Sequence, residues 1–107
     1  MKQSPTNETT TLILKHLFNR RIFAWRNSVG GIKTDHGFYQ FGKSGSPDII
    51  AILDGGVFFG CEIKTKKDRM SELQKSFHLQ AKQRGAIMFV VKNYQDFLLQ
   101  WQNLKRE

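Results

Sequence analysis

The sequence predicts an α/β fold in which a central mixed β-sheet is flanked by helices. Three observations lead there. Residues 48–53 and 57–64 are apolar runs separated by Asp54, Gly55 and Gly56, the pattern of an antiparallel hairpin. Residues 86–91, Ala-Ile-Met-Phe-Val-Val, form a compact apolar run that suits a strand covered on both faces. A helix-period segment from 71 to about 84 joins the two, as a right-handed parallel crossover requires. With a helix near either end, the predicted order is α-β-β-β-β-α-β-α.

Each element has a local reason. Ser4 is a good N-cap, and Pro5 suits the first helical position because the N–H it lacks would be unpaired there anyway. Leu12, Ile13, Leu17 and Phe18 give that helix an apolar stripe through about Asn19. Residues 22–26 predict a short strand with Trp25 in the core. Residues 27–37, NSVGGIKTDHG, predict a loop or loose hairpin, with Gly30-Gly31 and Gly37 as turn signals. Residues 38–41 predict another short strand, and 42–47 a loop before the hairpin. Lys66, Lys67, Asp68 and Arg69 make a polar connector. Ser71 opens the crossover helix and Gly85 stops it. Asn93 caps a last helix running through Trp101 and Leu104.

The 107 residues are enough for one domain, 1–107, with a modest core. No apolar run approaches the roughly 20 residues that cross a bilayer. The N-terminal stretch lacks a signal peptide's apolar segment and cleavage site, so a cytoplasmic protein without a membrane partner is expected. Cys61 is alone, which excludes an internal disulfide and a cysteine-type zinc site; it reads as a small buried hydrophobe. Seventeen Lys and Arg against nine Asp and Glu give a net charge of +8, which favours a polyanionic partner, nucleic acid first.

The chemistry concentrates at one end of the hairpin. A three-residue turn at 54–56 sets Leu53 opposite Val57, and counting outward sets Asp48 opposite Glu62. Opposed side chains in an antiparallel pair have Cβ atoms about 4.5–5.5 Å apart, and like charges there are destabilising unless a positive charge intervenes. Lys64 follows on the same face as Glu62. One lysine neutralises two carboxylates only partly. A divalent cation does it better, and Mg²⁺ takes one or two carboxylates plus waters and phosphate oxygens. The backbone carbonyl of Ile63 is a further candidate ligand. The plainer alternative is a surface ion pair at a strand end, which contributes little.

Pro47-Asp48, thirteen residues, then Glu62-Ile63-Lys64 resembles the PD-(D/E)XK signature of the restriction-endonuclease-like nucleases. Gly45-Ser46 before the aspartate, the Ser71-Glu72-Leu73-Gln74 helix start and Gly85-Ala86 before an apolar strand narrow this to a resemblance to the virus-type replication-repair nucleases (VRR-NUC). The likeness runs from the first helix to Val91. The chain's small size resembles the stand-alone viral and bacterial members, which are similar in plan to archaeal Holliday-junction resolvases. The resemblance implies a Mg²⁺- or Mn²⁺-dependent endonuclease, with Asp48 and Glu62 holding the metal. Lys64 would orient or activate the attacking water, or stabilise the phosphate; its neighbouring acids favour a charged, positioning role. Gln74 would touch the metal-bound water or the lysine, and Glu8 would reach the metal through water.

Two of these have structural alternatives. Ser71 and Gln74 form a capping box, S-x-x-Q, so cap and site compete for one side chain. Glu8 lies in a first helical turn, where any acid is favoured, although Leu12 on its face would point it inward. Arg20, Arg21, Arg26, Lys33, Lys43, Lys66, Lys67 and Arg69 flank the site in sequence as candidate phosphate contacts. His16, His36 and His78 fit no metal spacing and are expected in solvent or beside DNA. The size leaves little room for a base-reading module, so branched DNA such as a Holliday junction is the expected substrate. A homodimer would match its twofold symmetry. The competing class is a non-catalytic nucleic-acid-binding module that keeps the fold.

Overall fold

The computed structural model describes residues 4–65 and 67–104. Helix α1 spans Pro5–Asn19, with the Ser4 hydroxyl accepting from the Asn7 N–H. It ends at Arg20, followed by Arg21 in a left-handed conformation (φ 60°). Strands β1 (Phe23–Arg26), β2 (Gly30–Thr34), β3 (Gly37–Phe41), β4 (Ile49–Leu53) and β5 (Val57–Ile63) follow. Then come α2 (Glu72–Gln83), β6 (Ile87–Val91) and α3 (Tyr94–Gln102). The main sheet has the order β1-β4-β5-β6, antiparallel except for the parallel β5–β6 pair that α2 bridges. This is the mixed, helix-flanked sheet that the sequence predicts.

Pleat alternation assigns the two faces. Phe59, Cys61 and Ile63 of β5 join Ile49, Ala51 and Leu53 of β4 in a core closed by Ile13 and Leu17 of α1 and Phe97 of α3. On the other face Phe58 meets Phe77 of α2, and Gly60 leaves room for Pro47 and Met88. A Cβ on Gly60 would come within 2.7 Å of the Pro47 ring. Glu62 lies on this second face, toward α2. Cys61 is buried, as expected.

Four expectations are corrected. Residues 30–34, expected within a loop or loose hairpin turning at Gly30-Gly31, form a regular strand paired with 37–41. The rings of Phe41 and Phe38 cover Gly30 and Gly31, so the glycine pair sits inside a strand instead of marking a turn. Together β2 and β3 form a two-stranded ribbon separate from the main sheet. Trp25 is 39% exposed and meets the Phe23 ring at a tilt of 48° on the edge strand β1 rather than packing in the core. Strand β6 is covered on both faces at Met88 and Phe89, with α2 and α3 packed against it, but not along its whole length, because Val90 is exposed. His16 and His78 are buried rather than in solvent; His16 packs edge-on against Tyr94, Phe97 and Trp101. Burial lowers the pKa of both imidazoles, helped by Arg20 near His16 and Lys82 near His78.

Candidate active site

The hairpin register runs from Leu53↔Val57 to Ile49↔Cys61, with the Gly56 N–H closing the turn onto the Leu53 carbonyl at 3.0 Å. One step outward, Asp48 faces Glu62. The Asp48 backbone carbonyl accepts from Asn27 N–H at 2.8 Å, which ties this end of β4 to the end of β1. Its carboxylate accepts from the Ile63 N–H at 2.8 Å. That contact has a sequence cause. The Lys64 N–H turns toward β6, to Val91, so the N–H and carbonyl of Ile63 turn toward β4. The ladder would next pair residue 63 with residue 47. Pro47 has no N–H to give the Ile63 carbonyl, and its own carbonyl is taken by Asn27 Nδ2 at 2.9 Å. Asp48 therefore serves the Ile63 N–H, and β4 offers the Ile63 carbonyl no backbone donor.

Glu62 is 2% exposed. Its Oε1 accepts from Gln74 Nε2 at 3.0 Å and lies 3.9 Å from Lys64 Nζ. Its Oε2 is buried without a hydrogen-bond partner among the described residues. Burial raises the Glu62 pKa to about 8, the Asp48 charge adds to the rise, and Lys64 only partly opposes it. Gln74 completes the cap and also reaches Glu62, rather than Lys64, because an amide has two ends. Its Oε1 accepts from the Ser71 N–H at 2.8 Å to complete the capping box, while its Nε2 holds Glu62. Helix α2 is thus anchored by the same side chain that orients the carboxylate.

This donor set fits a divalent, oxygen-seeking cation. An unpaired buried carboxylate oxygen is costly, and a raised pKa records that cost. A cation beside Asp48 and Glu62 would repay both. Among the described residues no third acid, histidine or cysteine joins the pair in a metal-binding cluster, so remaining ligands would be the Ile63 carbonyl, water or substrate oxygens. The pair opens on a cavity of about 590 Å³ whose other walls include Thr6 and Thr10 of α1, Arg26, Asn27, Phe41 and Gln74.

A solved structure described as a VRR_NUC domain superposes on this arrangement with a TM-score of 0.73, covering 96% of this chain and 100% of that one. The chain has the VRR-NUC fold. Sequence identity over that match is 18%. No protein-family model matches the sequence, and no curated protein matches it.

Within the VRR-NUC fold the other expected residues scatter. Glu8 does not point inward. It is exposed, as is Leu12, and α1 turns Thr6 and Thr10 to the cavity instead. Arg26 lines the cavity and is held by Asn7 Oδ1. Arg20 and Arg21 sit at the far end of α1, about 21 Å from Thr6 at 1.5 Å per residue, where Arg20 bonds His16 instead. Lys33 is exposed on the β2–β3 ribbon. Lys43 borders a separate groove along α2 with Ser76, Gln80 and Arg84. Lys67 and Arg69 are exposed in the connector, and Lys66 lies outside the described residues. Asn27 is the contributor that sequence reasoning undervalued. Its Nδ2 donates to Ser46 Oγ at 2.6 Å and to the Pro47 carbonyl, clamping the segment that carries Asp48. A polar residue just after a predicted strand was its signal. Thr6 and Thr10 gave none beyond helical spacing.

Proposed function

We propose that this chain is a Mg²⁺- or Mn²⁺-dependent endodeoxyribonuclease that hydrolyses phosphodiester bonds, with branched DNA such as a Holliday junction as substrate and a homodimer as the working unit. The observation that carries the reading is the unpaired, buried Oε2 of Glu62 beside Asp48, on a cavity that Arg26 also lines, with Lys64 Nζ 3.9 Å from the other Glu62 oxygen. The VRR-NUC fold supports the reaction class, and the +8 charge supports the substrate class.

Asp48, Glu62 and the Ile63 carbonyl would hold the metal. When bound, it would supply positive charge that polarises the phosphate and lowers the pKa of a bound water. The chain's own residues do the rest. Gln74 fixes Glu62 through Oε1, so that Oε2 is left for the cavity. Lys64, whose Nζ lies 3.9 Å from Glu62, stabilises the negative charge that develops on the phosphate. Arg26 grips the phosphate backbone, a contact that sets affinity and register rather than base preference. Asn27 keeps Asp48 facing Glu62.

The test is a panel of labelled junction, flap, duplex and single-stranded DNA incubated with Mg²⁺, Mn²⁺ or EDTA. Cleavage of the junction in either metal, lost in EDTA and in Asp48→Ala and Glu62→Ala, is the expected result. Cutting that persists in EDTA or in those variants refutes the metal mechanism. Binding without cutting in every metal favours a non-catalytic module. Sedimentation across a concentration series reads the dimer; a strict monomer at micromolar concentration counts against paired cutting.

A further inference from the structure

The β2–β3 ribbon carries apolar side chains that folding does not call for. Its strands pair only with each other, and every strand residue except Gly30 is exposed. A two-stranded ribbon with nothing to cover is marginal in water. This one nonetheless displays Ile32 (56% exposed), Phe38 (71%), Tyr39 (65%) and Phe41 (38%). The register sets Ile32 opposite Tyr39 and Gly30 opposite Phe41, so Ile32, Tyr39 and Phe41 share one face. The foot of that face lies in the active site, because Phe41 and Val29 line the same cavity as Asp48 and Glu62. Basic groups stand near it: Arg26 is on the cavity wall, Lys33 is on the ribbon's other face opposite Phe38, and Lys43 comes two residues after β3. The acid in the ribbon is Asp35, at the tip.

We propose that the ribbon is a base-stacking arm, on which Tyr39 and Phe41 receive unpaired bases of the nucleic acid strand whose backbone crosses Asp48 and Glu62. The inference deepens the nuclease reading and rests on it for the strand's path through the cavity. An aromatic face beside basic groups suits a nucleic acid strand, since every base offers a π-face to a ring while the phosphates meet the cations. Bases within a paired duplex are already stacked on each other and expose only their edges. The arm therefore selects DNA with unpaired nucleotides next to the cleaved bond, which a fully paired duplex lacks. It works by shape and stacking, without regard to sequence.

The experiment measures binding in EDTA, where hydrolysis plays no part. The probes are one duplex that is fully paired and one of equal length with a short single-stranded gap carrying 2-aminopurine, a base whose fluorescence is quenched when it stacks. The full chain is expected to bind the gapped probe about tenfold more tightly than the paired one and to quench its fluorescence. Tyr39→Ala should erase most of that preference while leaving duplex binding unchanged, Phe41→Ala should also reduce the preference, and Tyr39→Trp should keep it. Tyr39 is exposed, so circular dichroism should show every Tyr39 variant folded. Equal binding of the two probes by the unmodified chain overturns the arm, as does gapped-probe binding that survives both alanine changes together. A double variant that converts a dimer to a monomer yet quenches fully also overturns it, and assigns the face to a second copy of the chain. The two proposals fail separately. Cutting without quenching keeps the nuclease and removes the arm; quenching without cutting in any metal does the reverse.

Discussion

Glu62 is the residue on which folding and chemistry disagree. Its pKa is raised to about 8, so the folded chain binds a proton there that the unfolded chain releases near its ordinary 4.5. Stability falls with rising pH wherever the native state holds more protons, so Glu62 weakens the metal-free fold progressively from about pH 4.5 to about 8. His16 and His78 work the other way, since their lowered pKa values cost stability as pH falls below 6.5. The difference between the natural chain and Glu62→Gln removes the histidines from view. That difference should be near zero at pH 5 and should favour the variant by a few kcal/mol at pH 8, read from urea unfolding in EDTA. A flat difference across that range would mean Glu62 titrates normally. Little of this was visible in the sequence. The acids could be set opposite each other by counting from the turn, but Glu62's burial depends on α2 arriving over it through Gln74. Glu8 faces solvent because Leu12, on its face, is not a core residue; α1 buries Thr9, Thr10, Ile13, His16 and Leu17. That same stripe, extended by period from Ile13 and Leu17, would have placed His16 inside.

At the scale of elements, the hairpin was legible and the ribbon was not. Three turn residues between two apolar runs permit one register, and the structure has it. Gly30-Gly31 usually breaks a strand, and only the positions of Phe38 and Phe41 across the ribbon reveal the rings that cover the pair. Loop 43–48 shows how backbone sets the site. Gly45 has φ +85°, and a Cβ there would meet the Leu73 carbonyl of α2 at 2.4 Å. Gly55, in the hairpin turn, has φ +83° with open space around it. Gly55→Ala should cost about 1 kcal/mol from left-handed strain alone. Gly45→Ala should cost at least about 2 kcal/mol, because loop and helix must also part. Chemical denaturation of both variants checks the pair, and equal losses would show that the loop yields freely.

For the whole molecule, the fold class followed from the order of patterned segments, and the charge pointed to its kind of partner. No helix among the described residues is long and apolar enough to cross a membrane. What sequence could not give is convergence: the segment before β4, strand β5 and helix α2 bring Asp48, Glu62 and Gln74 to one cavity, while Arg20 and Arg21 are left at the far end of α1. The central claim is that Asp48 and Glu62 hold a divalent cation. Titrating Mn²⁺ into the full chain by calorimetry, in buffers of different ionisation enthalpy, tests it most directly, because a protonated Glu62 must release its proton to the buffer as the metal binds. The account predicts one binding event that releases close to one proton at pH 6.5, markedly fewer at pH 9, and that disappears in Glu62→Gln and Asp48→Asn. Binding with no proton release at pH 6.5, or binding that survives both substitutions, would contradict it.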